Sequence, residues 1–195
     1  MKKGTLVIIA IVAVLGIWGV VSYNSLVGLD QGVQAQWAQV ENVYQRRLDL
    51  IPNLVETVKG AANFEKETYT AVAEARSKAG QVTVGKDVTS DPAAFQRFQQ
   101  AQDSLGAALS RLMVVSERYP DLKATQAFRD LQAQLEGTEN RIAVERMRFN
   151  EAARAFNSKR SSFPTVLIAG LYPRFAEKQY FQAQAGAASA PSVKF

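Results

Sequence analysis

Arg46-Arg47-Leu48-Asp49-Leu50-Ile51-Pro52-Asn53-Leu54-Val55-Glu56-Thr57-Val58-Lys59-Gly60-Ala61-Ala62-Asn63-Phe64-Glu65-Lys66-Glu67 is the stretch on which the fold turns. It sets two arginines, an aspartate and an asparagine around Pro52, between two otherwise helical patterns. The residue before a proline is pushed out of the right-handed helical region, and proline is tolerated at the first position of a helix. Taken as a break, Pro52 joins two helices. Asp49 then caps the opening at Ile51-Pro52, an arginine pairs with Asp49 or satisfies the last carbonyls of the first helix, and Asn53 bonds the backbone of the turn. Taken as a kink, Pro52 leaves one longer helix. Arg46, Arg47, Asp49, Pro52 and Asn53 are expected to form a structural joint, with partner contact through an exposed arginine as the alternative.

Helical periodicity extends on both sides of this stretch, and no alternating strand pattern occurs. Leu26, Leu29, Val33, Trp37, Val40, Tyr44, Leu48 and Ile51 step by three and four before the proline. Leu54, Val55, Val58, Ala62, Glu65, Tyr69, Val72 and Ala75 follow it. Residues 81–90 lose the period and read as a surface loop, closed by Ser90 or Asp91 as the cap before Pro92. A third face runs through Phe95, Phe98, Gln102, Leu105, Leu109, Leu112 and Val115 towards a second joint at Pro120. Phe128, Leu135, Ile142, Phe149 and Phe156 are each seven apart, a heptad seam that packs along its whole length. The expected fold is all-α: an N-terminal transmembrane helix followed by an antiparallel four-helix bundle of long helices. One hairpin of two very long helices is the runner-up, and it leaves more apolar stripe unburied than a monomer tolerates.

On that seam Glu145 is expected to pair with an arginine or lysine and fix register, with acid–base chemistry as the sharper alternative. Asn150 and Asn157, seven apart, are expected to make inter-helix hydrogen bonds. Beyond them Thr165–Leu171 is apolar and too short to span a bilayer. Leu167, Ile168, Leu171, Phe175, Tyr180 and Phe181 form a candidate docking surface that folds onto the bundle, lies at the lipid interface, or meets a partner or sister subunit. The domain reading is an anchor at 1–23, a bundle at 24–158, an apolar C-terminal element at 159–181, and a disordered Ala/Ser/Gln/Gly-rich tail at 182–195.

Gly4–Val21 carries no charge and follows Lys2 and Lys3. About 20 apolar residues cross a ~30 Å hydrocarbon core, and Trp18 and Tyr23 stand where an interfacial aromatic belt would lie. A cleaved signal peptide is the competing reading; the run is longer than a usual apolar region of that kind, and no Ala-x-Ala site follows. Residues 4–23 are therefore expected in the lipid bilayer, with the lysines inside and the bundle outside. The 195 residues contain no histidine and no cysteine, which excludes the usual zinc sites, thiol nucleophiles, Ser-His dyads and disulfides. Net charge is +5, but the basic residues are interspersed with acids, so nucleic acid is not expected. No Gly-rich phosphate loop is present. No catalytic, cofactor or metal site is expected.

Tyr23-Asn24-Ser25-Leu26-Val27, Val33-Gln34-Ala35-Gln36-Trp37-Ala38-Gln39-Val40 and, most specifically, Arg46–Gly60 resemble segments of the LemA family of bacterial membrane proteins. Arg148-Phe149-Asn150, Phe156-Asn157 and Phe163-Pro164 are similar to the family's late Tyr-Asn, Tyr-Asn and Phe-Pro positions, with phenylalanine standing where the family has tyrosine. Tyr180-Phe181 resembles its terminal aromatic pair. The resemblance implies an N-terminally anchored helical bundle of the bacterial inner membrane. It brings no catalytic residue. Family members are often encoded beside membrane zinc metalloproteases, which implies one such protease as a partner; from the apolar C-terminal segment itself, a second copy of the chain or another membrane protein is expected. The expected role is a non-enzymatic scaffold or adaptor in envelope stress or membrane quality control; an extracytoplasmic ligand-sensing bundle is the alternative.

Overall fold

The computed structural model describes residues 3–61, 65–82 and 88–182. The helices are α1 (Lys3–Lys59), α2 (Lys66–Gln81), α3 (Pro92–Ser116), α4 (Pro120–Ala124), α5 (Gln126–Ser161) and α6 (Thr165–Leu171), followed by a 3-10 turn at Pro173–Phe175. No strand occurs among the described residues. The centre of the 81–90 loop and the tail from 183 onward lie outside them.

Pro52 is not a joint. It sits inside α1, which runs on to Lys59, and the chain first turns near Gly60. A proline inside a helix lacks the N–H that would bond the carbonyl four residues earlier, here that of Leu48. That carbonyl instead accepts a 2.9 Å hydrogen bond from Arg76 Nε of α2. The arginine that satisfies the carbonyl comes from the next helix, not from Arg46 or Arg47. At Pro120 the chain does break. Tyr119 takes a non-helical conformation (φ −121, ψ 77), and the short α4 inserts Leu122 into the core before Thr125 caps α5. Asp91 is the cap of α3: its Oδ1 accepts from Ala93 N at 2.9 Å and Ala94 N at 3.2 Å, with Pro92 at the first helical position.

α1 is 57 residues long, roughly 86 Å at 1.5 Å per residue. Its first half is the one helix among the described residues that is long and apolar enough to cross a membrane; the most apolar window has a mean hydropathy of 2.6 and none of it is buried. The same helix continues past residue 23 without a break into the helical domain. There α1 packs chiefly on α5, and α2 on α3 and α1. Partners in α5 fall in number as those in α1 rise: Trp37 meets Phe149, and Arg47 meets Glu139.

The buried face of α1 steps through Leu26, Asp30, Val33, Trp37, Val40, Tyr44, Arg47, Ile51, Leu54 and Val58 in alternating fours and threes, with Ser22 and Val55 buried beside it. The α5 seam (Phe128, Leu135, Ile142, Phe149, Phe156) is buried throughout. Two apolar clusters result. The one nearer the apolar N-terminal half of α1 gathers Leu26–Tyr44, Phe95, Phe98, Ile142, Phe149, Phe156, Phe175 and Phe181. The distal one gathers Ile51–Val58, Val72, Leu105–Val115, Leu122, Phe128 and Leu135.

Candidate functional site

Between the two clusters lies a polar layer. On α1 it falls between Tyr44 and Ile51, on α3 between Phe98 and Leu105, and on α5 between Leu135 and Ile142. Arg47, only 4% exposed, fills the α1 position. Its Nε lies 2.8 Å from Glu139 Oε1 of α5, and its Nη1 donates to the Gln102 carbonyl of α3 at 3.4 Å. Gly106 makes room for it, since a Cβ there would stand 2.8 Å from Arg47 Nη2. One guanidinium thus ties three helices together, which its planar fork of donors suits better than a lysine would.

Beside this layer is a cavity of about 770 Å³, lined among others by Tyr44, Arg47, Gln102, Gly106, Glu139 and Arg146. The Gln102 side-chain oxygen is buried on this wall without a hydrogen-bond partner. Burial pushes the Tyr44 phenol up to about 12, against the pull of the Arg146 and Arg47 charges. A neutral phenol and a paired arginine make a wall that can hydrogen-bond a polar group. No cluster of three acids that could hold a metal ion occurs among the described residues.

The residues expected at a joint are separated by the helix. Arg47 points inward, while Arg46, Asp49, Pro52 and Asn53 are exposed. Asp49 caps nothing: it accepts from Gln45 Nε2 one turn back, at 2.8 Å. Asn53 bonds no turn, and its carbonyl accepts from Thr57 Oγ1. Glu145 pairs within its own helix, with Arg148 Nη1 at 2.8 Å, so its ion pair is not between helices. Glu65 lies just before α2 and meets Arg118 Nη2 of the chain after α3 at 2.9 Å.

Asn150 and Asn157 do reach across, but to an extended strap, residues 176–182, rather than to a helix. Asn157 Nδ2 donates to the Lys178 carbonyl and its Oδ1 accepts from Lys178 N, both at 2.9 Å. Asn150 does the same with Phe181, at 3.0 and 2.9 Å. Each amide side chain thus serves both backbone groups of one strap residue, as a neighbouring strand would. Arg146 donates to the Gln182 carbonyl at 3.0 Å and lies 4.6 Å over the Phe181 ring. Phe175 and Phe181 are buried core residues and offer no docking surface. Phe181 stacks on Trp37 at 6.1 Å and meets Phe95 at 4.9 Å. Tyr180 is partly exposed, and its hydroxyl accepts from Asn157 Nδ2 at 3.0 Å. Leu167 and Leu171 are exposed, and Ile168 is half-buried.

Sequence reasoning missed the buried ion pair of Asp30 with Lys178, at 2.8 Å, in which Lys178 Nζ also donates to Ser90 Oγ at 3.0 Å. The signal was present. A strict alternation of three and four puts Asp30 and Arg47 on the inner face of α1, whereas hydropathy alone favours their neighbours Leu29 and Leu48, which are only partly buried.

Residues 36–195 match the LemA family. The chain is similar to magnetosome protein MamQ 2 of Paramagnetospirillum magneticum, at 27% identity over 200 residues, covering 93% of this chain and 71% of that protein. It is similar to magnetosome protein MamQ of Magnetospirillum gryphiswaldense, at 26% identity over 175 residues, covering 82% of this chain and 64% of the relative. Protein LemA of Metamycoplasma hominis is 26% identical over 146 residues, covering 75% of this chain and 63% of its own length. The matched region contains the polar layer, the α5 seam and the strap, and on that extent of agreement the chain belongs to the LemA family.

Proposed function

We propose that this protein is a non-enzymatic, single-pass scaffold or adaptor of the bacterial inner membrane. Its N-terminus is cytoplasmic, and an antiparallel four-helix bundle is held outside by the unbroken α1. The observation that carries this reading is how the buried charges are used. Arg47 pairs with Glu139 between α1 and α5, and Lys178 pairs with Asp30 between the strap and α1. Groups that a catalyst would leave poised are engaged in holding elements together, which leaves the outer surface as the working part. Contacts with a second copy or with a membrane protein, such as the metalloproteases linked to the family by genome position, would place the activity in membrane quality control or envelope stress. Cross-linking in native membranes followed by detergent extraction is expected to yield discrete multimers or a defined hetero-complex. A purely monomeric pattern with no co-purifying protein would sink the proposal.

A second reading, a ligand-sensing bundle, draws on the cavity and on the unpartnered Gln102 oxygen in its wall. A small polar donor held there should raise the unfolding temperature of the purified protein, and Gln102→Leu should abolish that shift. A screen of polar metabolites without any Gln102-dependent shift leaves the scaffold alone.

A further inference from the structure

We propose that α6 is a membrane-interface element whose outer face sits in the headgroup region of the same bilayer leaflet that α1 leaves. The proposal rests on α1 crossing the bilayer with residues 4–21. At 1.5 Å per residue that run reaches about 27 Å, just short of a ~30 Å hydrocarbon core, so the interface falls around residues 19–23. The structure places α6 at that level. Ile168 Cδ1 lies 4.0 Å from where a Cβ on Gly19 would be, and the Tyr172 ring meets the Tyr23 ring at 5.1 Å.

α6 is buried on one side only. Thr165 and Ala169 face the bundle, while Leu167 is 60% exposed, Leu171 71% and the preceding Phe163 82%. Val166 and Tyr172 add to the same outward surface. An apolar cluster of this kind in water is what a soluble surface avoids. Here it adjoins the exposed apolar surface of α1, so a single lipid phase covers both without a polar gap. Tyr23 and Tyr172 supply amphipathic rings where the bilayer meets water. Arg174 flanks them, paired with Asp30 Oδ2 at 3.6 Å and half exposed, in reach of lipid headgroups. Asp30 and Lys178 in turn hold the strap that follows α6, so the interface element is clamped to the helix that crosses the membrane.

The absence of native cysteine makes a direct test clean. Single cysteines are introduced in the full chain at Leu167, Leu171, Val12 and Val114. Each is labelled with an environment-sensitive fluorophore, and the protein is reconstituted into vesicles of phosphatidylethanolamine and phosphatidylglycerol. Val12 lies mid-span and reports anchoring; Val114 is equally exposed but in the distal half of α3. Labels at 167 and 171 are expected to emit blue-shifted and to be quenched severalfold more by shallow spin-labelled lipid than the label at 114, which aqueous iodide should quench instead. If the Val12 label is quenched by deep spin-labelled lipid while those at 167 and 171 respond like the one at 114, the interface proposal falls and the anchor stands. Protection at 167 and 171 from both lipid and iodide also overturns it, because protein then covers the face. Failure of deep lipid to quench at 12 removes the anchor and the proposal with it.

Discussion

Pro52 leaves the Leu48 carbonyl without its helical donor, and Arg76 supplies one from α2. The arrangement converts a local defect, worth roughly 3 kcal/mol in an isolated helix, into a contact between two helices. Arg76→Ala is expected to cost about 1–2 kcal/mol, because a charged donor to a part-buried carbonyl is lost. In a Pro52→Ala background the helix regains its own donor, so the cost of Arg76→Ala should shrink by at least ~0.5 kcal/mol in a double-mutant cycle of urea unfolding. Equal costs in both backgrounds would refute the link. Tyr44 gives a pH signature. Its folded pKa, pushed up to about 12 by burial, lies above the unfolded value of 10.0. The unfolded chain therefore loses the phenolic proton first, and stability that is fully present below pH 10 drains away as pH rises towards 12. The loss is ~2–3 kcal/mol by linkage, and it should disappear in Tyr44→Phe when unfolding midpoints are compared across that range. Arg47 belongs at this scale too: a charge on the inner face of α1 is visible in strict heptad phase but not in hydropathy.

Among the elements, the strap after α6 depends on side chains more than on its own backbone. Asn150 and Asn157 supply four hydrogen bonds to residues 178 and 181, and Gln179 N adds one to the Thr89 carbonyl at 2.8 Å. Asn157→Ala leaves a buried N–H and C=O unpaired, at about 2–4 kcal/mol for the pair. Limited proteolysis is expected to cut the strap in this variant, and in Asn150→Ala, while circular dichroism shows α5 intact. A strap as resistant as in the unaltered protein would mean that the buried Phe175 and Phe181 and the Lys178–Asp30 pair hold it without the asparagines. The seven-residue spacing of the asparagines announced that they share a face. That their partner is an extended segment was not legible, because Lys178 and Phe181 lie in a stretch with no periodicity of its own.

For the whole molecule, α1 is at once the helix long and apolar enough to cross a membrane and the helix on which α5 chiefly packs. Residues 4–17 are all exposed, so they contribute nothing to either apolar cluster. A chain beginning at Ser22 is expected to fold with the same helical signature, and its unfolding free energy should change by no more than about 0.5 kcal/mol. A larger loss would show that the span supports the domain as well as tethering it. The two clusters with a polar layer between them also have a consequence for specificity. Sliding α1 along α5 by one heptad would strand Arg47 in an apolar layer, away from Glu139, which selects the observed register even where apolar contacts are interchangeable.

Local periodicity by itself determined the helical class, the apolar first helix, the start of α3 at Pro92 and the α5 seam. Each of these depends on residues within a few turns of one another. Only the tertiary structure decided that Pro52 would not break α1, that Asp30 and Arg47 would find partners on its inner face, and that the last aromatics would be core. The physical reason is common to all three. A proline is tolerated, a charge buried or an extended strap retained only if a partner satisfies the exposed polar groups. Those partners come from far along the chain: Arg76 for the Leu48 carbonyl, Glu139 for Arg47, Lys178 for Asp30, and two asparagines for the strap.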